Sequence, residues 1–172
     1  ARVSAQLGLD ADGRAVSLSA DLTFPLGSWM PYSALAPIRN AGRILPGPYA
    51  VPAVCVTGRA DLTEGAAVNI YRGAGRPEAA LIMERLMDKA ARLLGADPLD
   101  MRRRNLGMAG PLPTGERICS GDFAALLDRL EAETDYRTLR TQQAARRRDG
   151  ELCGLGLALY VEPCGQGWET AS

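Results

Sequence analysis

The sequence predicts an α+β fold in which a β-hairpin and a mixed sheet pack against helices. Three observations predict it: two alternating apolar runs near the start, a long amphipathic run in the middle, and a glycine-studded apolar run near the end. The chain has 172 residues, 47% of them apolar, which suits one domain with a substantial core. We therefore treat residues 1–172 as a single α+β unit.

The β elements are predicted from alternation. The runs RVSAQLGL, from Arg2, and AVSLSADLTF, from Ala15, flank an Asp/Gly-rich turn and predict a hairpin. The segment Pro25–Pro48 is rich in Pro, Gly, Ser and Ala, so we expect a long surface connection with one helical turn. Residues 49–65 predict one or two further strands, broken near Gly58.

The clearest helix prediction covers residues 77–94. Pro77 suits the first helical position, Glu78 complements the positive helix N-terminus, and Gly95 is a suitable C-cap. Asp97 then predicts the N-cap of a short second helix.

Two more helices and a strand complete the prediction. The run Ser120-Gly121-Asp122 predicts the cap of a third helix, and a more polar fourth helix follows from Tyr136. The run CGLGLALYVEP predicts a closing strand at about 153–163. We expect the triplets Arg102–Arg104 and Arg146–Arg148 to be solvated helix faces or contacts to polypeptide outside this sequence.

Composition excludes several classes of function. The formal net charge is zero and the pI is near 6.6, so no nucleic-acid partner is expected. The absence of histidine excludes Ser-His-Asp catalysis and any His-based metal site, and the four cysteines form no C-x-x-C. No apolar run approaches the length of about 20 residues that would cross a bilayer, so no membrane insertion is expected. Buried, reduced thiols and a cytoplasmic location are the expectation.

The stretch NIYRGAGRPE, from Asn69, places Gly73 and Gly75 at the start of the predicted long helix. Two uses remain open: an ordinary strand-to-helix turn, or a cradle in which backbone N–H groups bind an anion. Glu78 stands where the dinucleotide fingerprint has its third glycine, and no Walker lysine follows. From the residues alone, a non-enzymatic scaffold domain and a nucleotide-binding module both remain alternatives.

A longer motif surrounds this stretch. The run YRGAGRPEAALIMERLMDKAARLLGADPLDMRRRNL, Tyr71–Leu106, resembles the molybdenum-cofactor subunit of the xanthine dehydrogenase, aldehyde oxidase and carbon monoxide dehydrogenase family. The end of the chain, GLGLALYVEPCGQGWETA, is similar to a second stretch of that subunit. The resemblance implies an internal piece of a molybdopterin-binding domain within a larger subunit.

The resemblance also implies a function for the parent protein. It would be a molybdopterin-dependent oxidoreductase that hydroxylates an aldehyde or N-heterocycle, with iron–sulfur and flavin subunits or domains as partners. The chain alone would be inactive, since the family's catalytic glutamate lies outside it and no catalytic residue is assigned here. Besides those partners, we expect it to contact the rest of its own subunit.

Site residues follow from the same resemblance. Arg72, Gly73, Ala74 and Gly75 would form a cofactor-side loop, and Ala74, Tyr160 and Glu162 would line the substrate pocket. The copper-containing carbon monoxide dehydrogenases have a cysteine at the position of Gly73, so copper–molybdenum chemistry is disfavoured.

Two further features of the C-terminal stretch look like functional motifs of the family. Gly165-Gln166-Gly167 resembles the family's pterin-binding G-Q-G, although its position matches a different stretch. Glu169 is not the family's general base, which belongs to another motif. We also expect Glu162 to pair with an arginine.

Overall fold

The computed structural model describes residues 1–162. Three strands and five helices form the body of the structure, and two very short strands form a small hairpin. The elements are β1 (Arg2–Leu9), β2 (Ala15–Gly27), α1 (Ala36–Ile44), β3 (Ala53–Leu62), α2 (Arg76–Leu94), α3 (Pro98–Arg104), β4 (Gly110–Pro111), β5 (Arg117–Ile118), α4 (Phe123–Thr134) and α5 (Tyr136–Arg148). No helix in this part of the chain is long and apolar enough to cross a membrane.

The predicted hairpin is confirmed, and the sheet is mixed as expected. β1 pairs with β2 antiparallel, and β2 pairs with β3 parallel in the order β1-β2-β3. The Asp10 carboxylate closes the hairpin turn because it accepts from the amides of Asp12 at 3.0 Å and Arg14 at 2.8 Å. Alternate residues of β2 from Leu18 to Leu26 are buried, so one face of the sheet meets the helices and the other faces solvent.

The prediction for Pro25–Pro48 is wrong. β2 continues to Gly27, and α1 is a nine-residue helix with its inner side in the core. The residues Pro37, Ala41 and Ile44 are buried at helical spacing. Proline is tolerated there because the first turn of a helix needs no amide donor. A crossover helix is also what a parallel β2–β3 pair requires.

The predicted break at Gly58 is also wrong, because β3 runs through it and Gly58 pairs with Leu22. A Cβ at position 58 would lie 3.1 Å from the Ile38 side chain. The glycine therefore allows α1 to pack closely on the strand.

The helix predictions are confirmed to within a residue or two. α2 begins at Arg76, with Pro77 in its first turn, and ends at the left-handed C-cap Gly95. Asp97 and Asp122 cap α3 and α4 through side-chain bonds to backbone amides. α1 and α2 cover the sheet, whereas α3, α4 and α5 enclose a second apolar cluster.

The predicted closing strand at about 153–163 is not formed as a strand within the described residues, and residue 163 lies outside them. Burial from Cys153 to Val161 nevertheless alternates with a period of two, as in an extended chain. No β-ladder partner for this segment exists in residues 1–162, so the alternation predicted the extended conformation but not the pairing.

Candidate functional site

The loop before α2 uses its carbonyl groups internally. The carbonyl of Gly73 accepts from the amide of Arg76 at 2.8 Å, and the carbonyl of Ala74 accepts from the Asn40 side-chain amide of α1 at 2.9 Å. The carbonyl of Gly75 accepts from Ala79 at 3.1 Å. The carbonyls of Gly73, Ala74 and Gly75 are thus each bonded within the domain.

Two backbone donors of the same loop are unbonded in the described part of the chain. Within residues 1–162 no acceptor is found for the amides of Gly73 and Ala74, although both residues are half-buried. A Cβ on Gly73 would meet only the Pro77 ring, at 3.7 Å, so the space in front of it is open. The loop therefore offers backbone donors at a helix N-terminus, which is the arrangement that binds anions and other acceptor-rich groups.

Gly75 has a different local role. It is buried with a φ of 86°, and a Cβ there would lie 1.9 Å from the Pro37 carbonyl oxygen and 2.7 Å from the Ala41 nitrogen. The absence of a side chain lets the backbones of α1 and α2 meet at this point. Gly75 thus fixes where the loop stands relative to the core.

The chain leading into the loop is tied to the end of β2. The amide of Val68 donates to the carbonyl of Leu26 at 2.9 Å, and the side chains of Ser33 and Asn69 are hydrogen-bonded. Beyond this anchor the side chains point outward: Tyr71 is 97% exposed, and Arg72 is exposed without an ion-pair partner in residues 1–162. Arg72 is therefore available to a group outside the described residues.

The structure brings Tyr160 and Glu162 to the N-terminal end of α2. The Glu162 carboxylate accepts from the Arg76 guanidinium at 2.9 Å, which confirms the expected pairing with an arginine. Tyr160 and Arg76 line the same shallow cleft, and Tyr160 is 60% exposed. Since Arg76 directly follows Gly75, both predicted pocket residues lie beside the start of the loop's helix. The Gly165-Gln166-Gly167 stretch and Glu169 lie outside the described residues.

A buried ionic cluster was not predicted from the sequence. Arg102, fully buried on α3, donates to Glu84 of α2 at 2.8 Å and to Asp88 at 3.0 Å. The Tyr49 hydroxyl donates to Glu84 from the other side. Burial and the Glu84 charge raise the pKa of Tyr49, so it remains a neutral donor. Burial acts to lower the pKa of Arg102, but the charge of Glu84 and its other acidic neighbours outweighs it, and the net direction is upward.

The prediction of solvated helix faces is wrong for Arg102, which is fully buried, whereas Arg103 is half-buried and Arg104 is exposed. Arg102 is in the cluster, Arg103 pairs with Asp128 and Glu131 of α4, and Arg104 donates to the hairpin turn at Asp12. The signal that could have found the cluster is spacing: Glu84 precedes the fully buried Met87 by three residues and Ala91 by seven, and Arg102 follows the fully buried Leu99 by three.

The comparison with known proteins identifies the family of the chain. The sequence model of the molybdopterin cofactor-binding domain matches residues 1–106, more than half of the chain. The chain belongs to this family. The resemblance carried by Tyr71–Leu106 is thereby confirmed.

Two curated relatives place the domain within longer subunits. The large subunit of nicotine 6-hydroxylase from Paenarthrobacter nicotinovorans is 32% identical over 122 residues, covering 70% of this chain and 15% of that subunit. The xanthine dehydrogenase molybdenum-binding subunit of Escherichia coli O157:H7 is 27% identical over 167 residues, covering 92% of this chain and 21% of that subunit. The molybdopterin cofactor-binding domain described here thus spans a minor part of these relatives.

A solved structure agrees with the α+β prediction. Quinoline 2-oxidoreductase from Pseudomonas putida 86 superposes on the domain with a TM-score of 0.77 at 29% identity, covering 85% of this chain and 19% of that chain. The fold and its prediction are therefore confirmed by an independent crystal structure.

The loop of this molybdopterin cofactor-binding domain fits the group that the family binds. Molybdopterin carries a phosphate and many acceptor atoms; the amides of Gly73 and Ala74 are donors without an acceptor in residues 1–162, and the space beside Gly73 is open. A larger concavity of about 440 Å³ lies elsewhere, between α1 and the sheet. Its lining is mainly apolar, with Ile38, Val54 and Val56 beside two arginines, and it contains none of the loop residues.

Proposed function

We propose that this chain forms part of the cofactor-side and substrate-side wall of a molybdopterin-dependent hydroxylase. The observation that carries the proposal is the loop before α2: the carbonyls of Gly73, Ala74 and Gly75 are internally bonded, while the amides of Gly73 and Ala74 have no acceptor in residues 1–162. The substrate class is an aldehyde or an N-heterocycle. Nicotine 6-hydroxylase and quinoline 2-oxidoreductase, to which the chain is similar, are named for N-heterocycles.

When bound, the molybdenum cofactor supplies the two-electron oxidation and the oxygen transfer. The residues of this chain hold and orient the cofactor and the substrate. Arg72, Gly73, Ala74 and Gly75 form the cofactor-side loop, with Gly75 setting its position against α1. Exposed Arg72 offers a guanidinium to acceptor atoms of the bound group.

The substrate side is formed by Ala74, Tyr160 and Glu162. Ala74 is small and leaves room for a bulky ring. Tyr160 offers an exposed aromatic ring, and Glu162 is held in an ion pair with Arg76. Because Glu162 is engaged in this way, the proton-abstracting glutamate is assigned to another part of the parent protein. Gly73 offers no thiolate, which disfavours a copper–molybdenum site.

The proposed partners are the rest of the large subunit and the iron–sulfur and flavin subunits or domains that receive the electrons. A cytoplasmic location is part of the proposal. The expectation of buried thiols is wrong, because Cys55 and Cys119 are exposed and Cys153 is half-buried, while Cys164 lies outside the described residues. Free thiols that are open to solvent persist in a reducing compartment.

We expect the purified parent protein to contain about one molybdenum atom per large subunit and to convert an N-heterocycle or an aldehyde to its hydroxylated product. Metal analysis by mass spectrometry and product detection with quinoline, nicotinate and benzaldehyde would measure both. Addition of millimolar NAD or ATP to the isolated chain should leave its melting temperature unchanged. A folded parent protein without molybdenum would instead support the non-enzymatic scaffold alternative.

A further inference from the structure

The extended segment at the end of the described chain is held by the buried ionic cluster. Arg102 donates to the carbonyl oxygen of Leu157 at 2.8 Å, and Glu84 accepts from the amide of Leu159 at 2.8 Å. Each charged side chain therefore binds its ionic partner and also one backbone group of the segment. We call this pair of side chains the clamp.

The clamp determines which way the segment's side chains face. Leu157 and Leu159 pack into the second apolar cluster, whereas Tyr160 and Glu162 lie on the opposite, exposed face. In an extended chain a slip of one residue exchanges the two faces. Within residues 1–162 no β-ladder holds the segment, so its register there depends on the packing of its leucines and on the bonds from Arg102 and Glu84.

The register has a consequence at the candidate site. In the register that the clamp holds, Glu162 forms an ion pair with Arg76 at 2.9 Å beside the loop, and Tyr160 lines the cleft with Arg76. A slipped segment would turn both side chains away and present leucine and valine to the site instead. Arg102 makes no bond to the candidate site residues: its bonds go to the carboxylates of Glu84 and Asp88 and to the carbonyls of Glu84, Pro98 and Leu157.

We propose that Glu84 and Arg102 are positioning residues that fix the register of residues 157–162 and thereby place Tyr160 and Glu162 on the substrate pocket. That these two residues line a substrate pocket rests on the proposed function. That the clamp fixes the register of the segment does not. Lysine at position 102 would keep the charge and lose the fork that reaches Glu84, Asp88 and Leu157 together.

The test uses the full parent holoenzyme with Arg102→Lys, and with Arg103→Lys as the matched control. Arg103 is the next residue of α3, and its ion pairs go to α4 rather than to the segment. Amide hydrogen exchange at residues 157–162 should speed up by about tenfold or more in Arg102→Lys and remain unchanged in Arg103→Lys. With molybdenum content unchanged, kcat/KM should fall by about tenfold or more, mainly through a raised KM.

Glu84→Gln serves as a second variant, because its amide oxygen can still accept from Leu159 while the charge is lost. Glu84→Gln should change hydrogen exchange and kcat/KM in the same direction as Arg102→Lys, but by less. If Arg102→Lys does not accumulate, the same two measurements on Glu84→Gln test the proposal. Unchanged exchange in the variants would overturn the proposal, and so would faster exchange with an unchanged KM. A parent protein without molybdenum or activity would refute the proposed function alone, and hydrogen exchange would then decide whether the clamp holds the segment.

Discussion

Replacing Arg102 with methionine is expected to lower the free energy of unfolding of the chain by about 3–5 kcal/mol, because it leaves a buried carboxylate without its counter-charge. Among residues 1–162, Glu84 would retain only the Tyr49 hydroxyl and the Leu159 amide as donors, while Arg102 itself is fully buried and Glu84 nearly so. Urea denaturation followed by circular dichroism measures the change.

Two further variants identify the cause of that loss. Arg103→Met removes an arginine that is partly solvated, so it should cost about 1 kcal/mol or less. Adding Glu84→Gln to Arg102→Met removes the uncompensated charge, so the double variant should be more stable than Arg102→Met alone. If Arg102→Met and Arg103→Met lower the free energy of unfolding equally, the buried cluster contributes no more to stability than a partly solvated ion pair.

Gly75→Ala is expected to destabilise the chain by about 2–5 kcal/mol, which combines overpacking with the strain of a left-handed residue that carries a Cβ. The added methyl would lie 1.9 Å from the Pro37 carbonyl oxygen, and the φ at this position is 86°. α1 and α2 would have to separate. Thermal or urea unfolding, with helix content as the signal, gives the size of the loss.

Gly95→Ala is the matched control for Gly75→Ala. It has a similar left-handed backbone, with φ 62°, and no atom lies within 4 Å of the added Cβ among the described residues. Its cost should be about 1–2 kcal/mol, from backbone strain alone. If the two alanine variants lose the same stability, the close contact between α1 and α2 at Gly75 is contradicted.

Much of the fold was predictable because its signals are local. The hairpin follows from alternation around an Asp/Gly turn, and α2 follows from Pro77, an apolar stripe and Gly95, which lie within about 20 residues of one another. α1 is harder to predict, because the Pro and Gly content of its segment favours a loop, although Pro37, Ala41 and Ile44 have helical spacing.

The closing strand and the ionic cluster were not predictable in the same way. Leu157 and Leu159 have the alternation of a strand, but pairing depends on a partner that the segment's own sequence does not specify. Arg102 and Glu84 are 18 residues apart in sequence and on different helices, so only the packing of α2 on α3 brings them together.

The candidate site also has a part that local sequence predicts and a part that depends on tertiary packing. The glycines of the loop were predicted to lie at a helix N-terminus, and they do. Spacing alone could not separate the open amide of Gly73 from the packing role of Gly75, because that difference depends on where α1 lies.

The central claim is that the open side of the loop at Gly73 faces the molybdenum cofactor, and Gly73→Asn in the parent protein tests it most directly. Asparagine tolerates the φ of 74° at this position, so it fills the space without strong backbone strain. Gly95→Asn makes the same change at a left-handed glycine remote from the loop. We expect molybdenum content or turnover to fall by about tenfold or more in Gly73→Asn and to remain at the wild-type level in Gly95→Asn. Wild-type molybdenum content and turnover in a folded Gly73→Asn protein would contradict the claim.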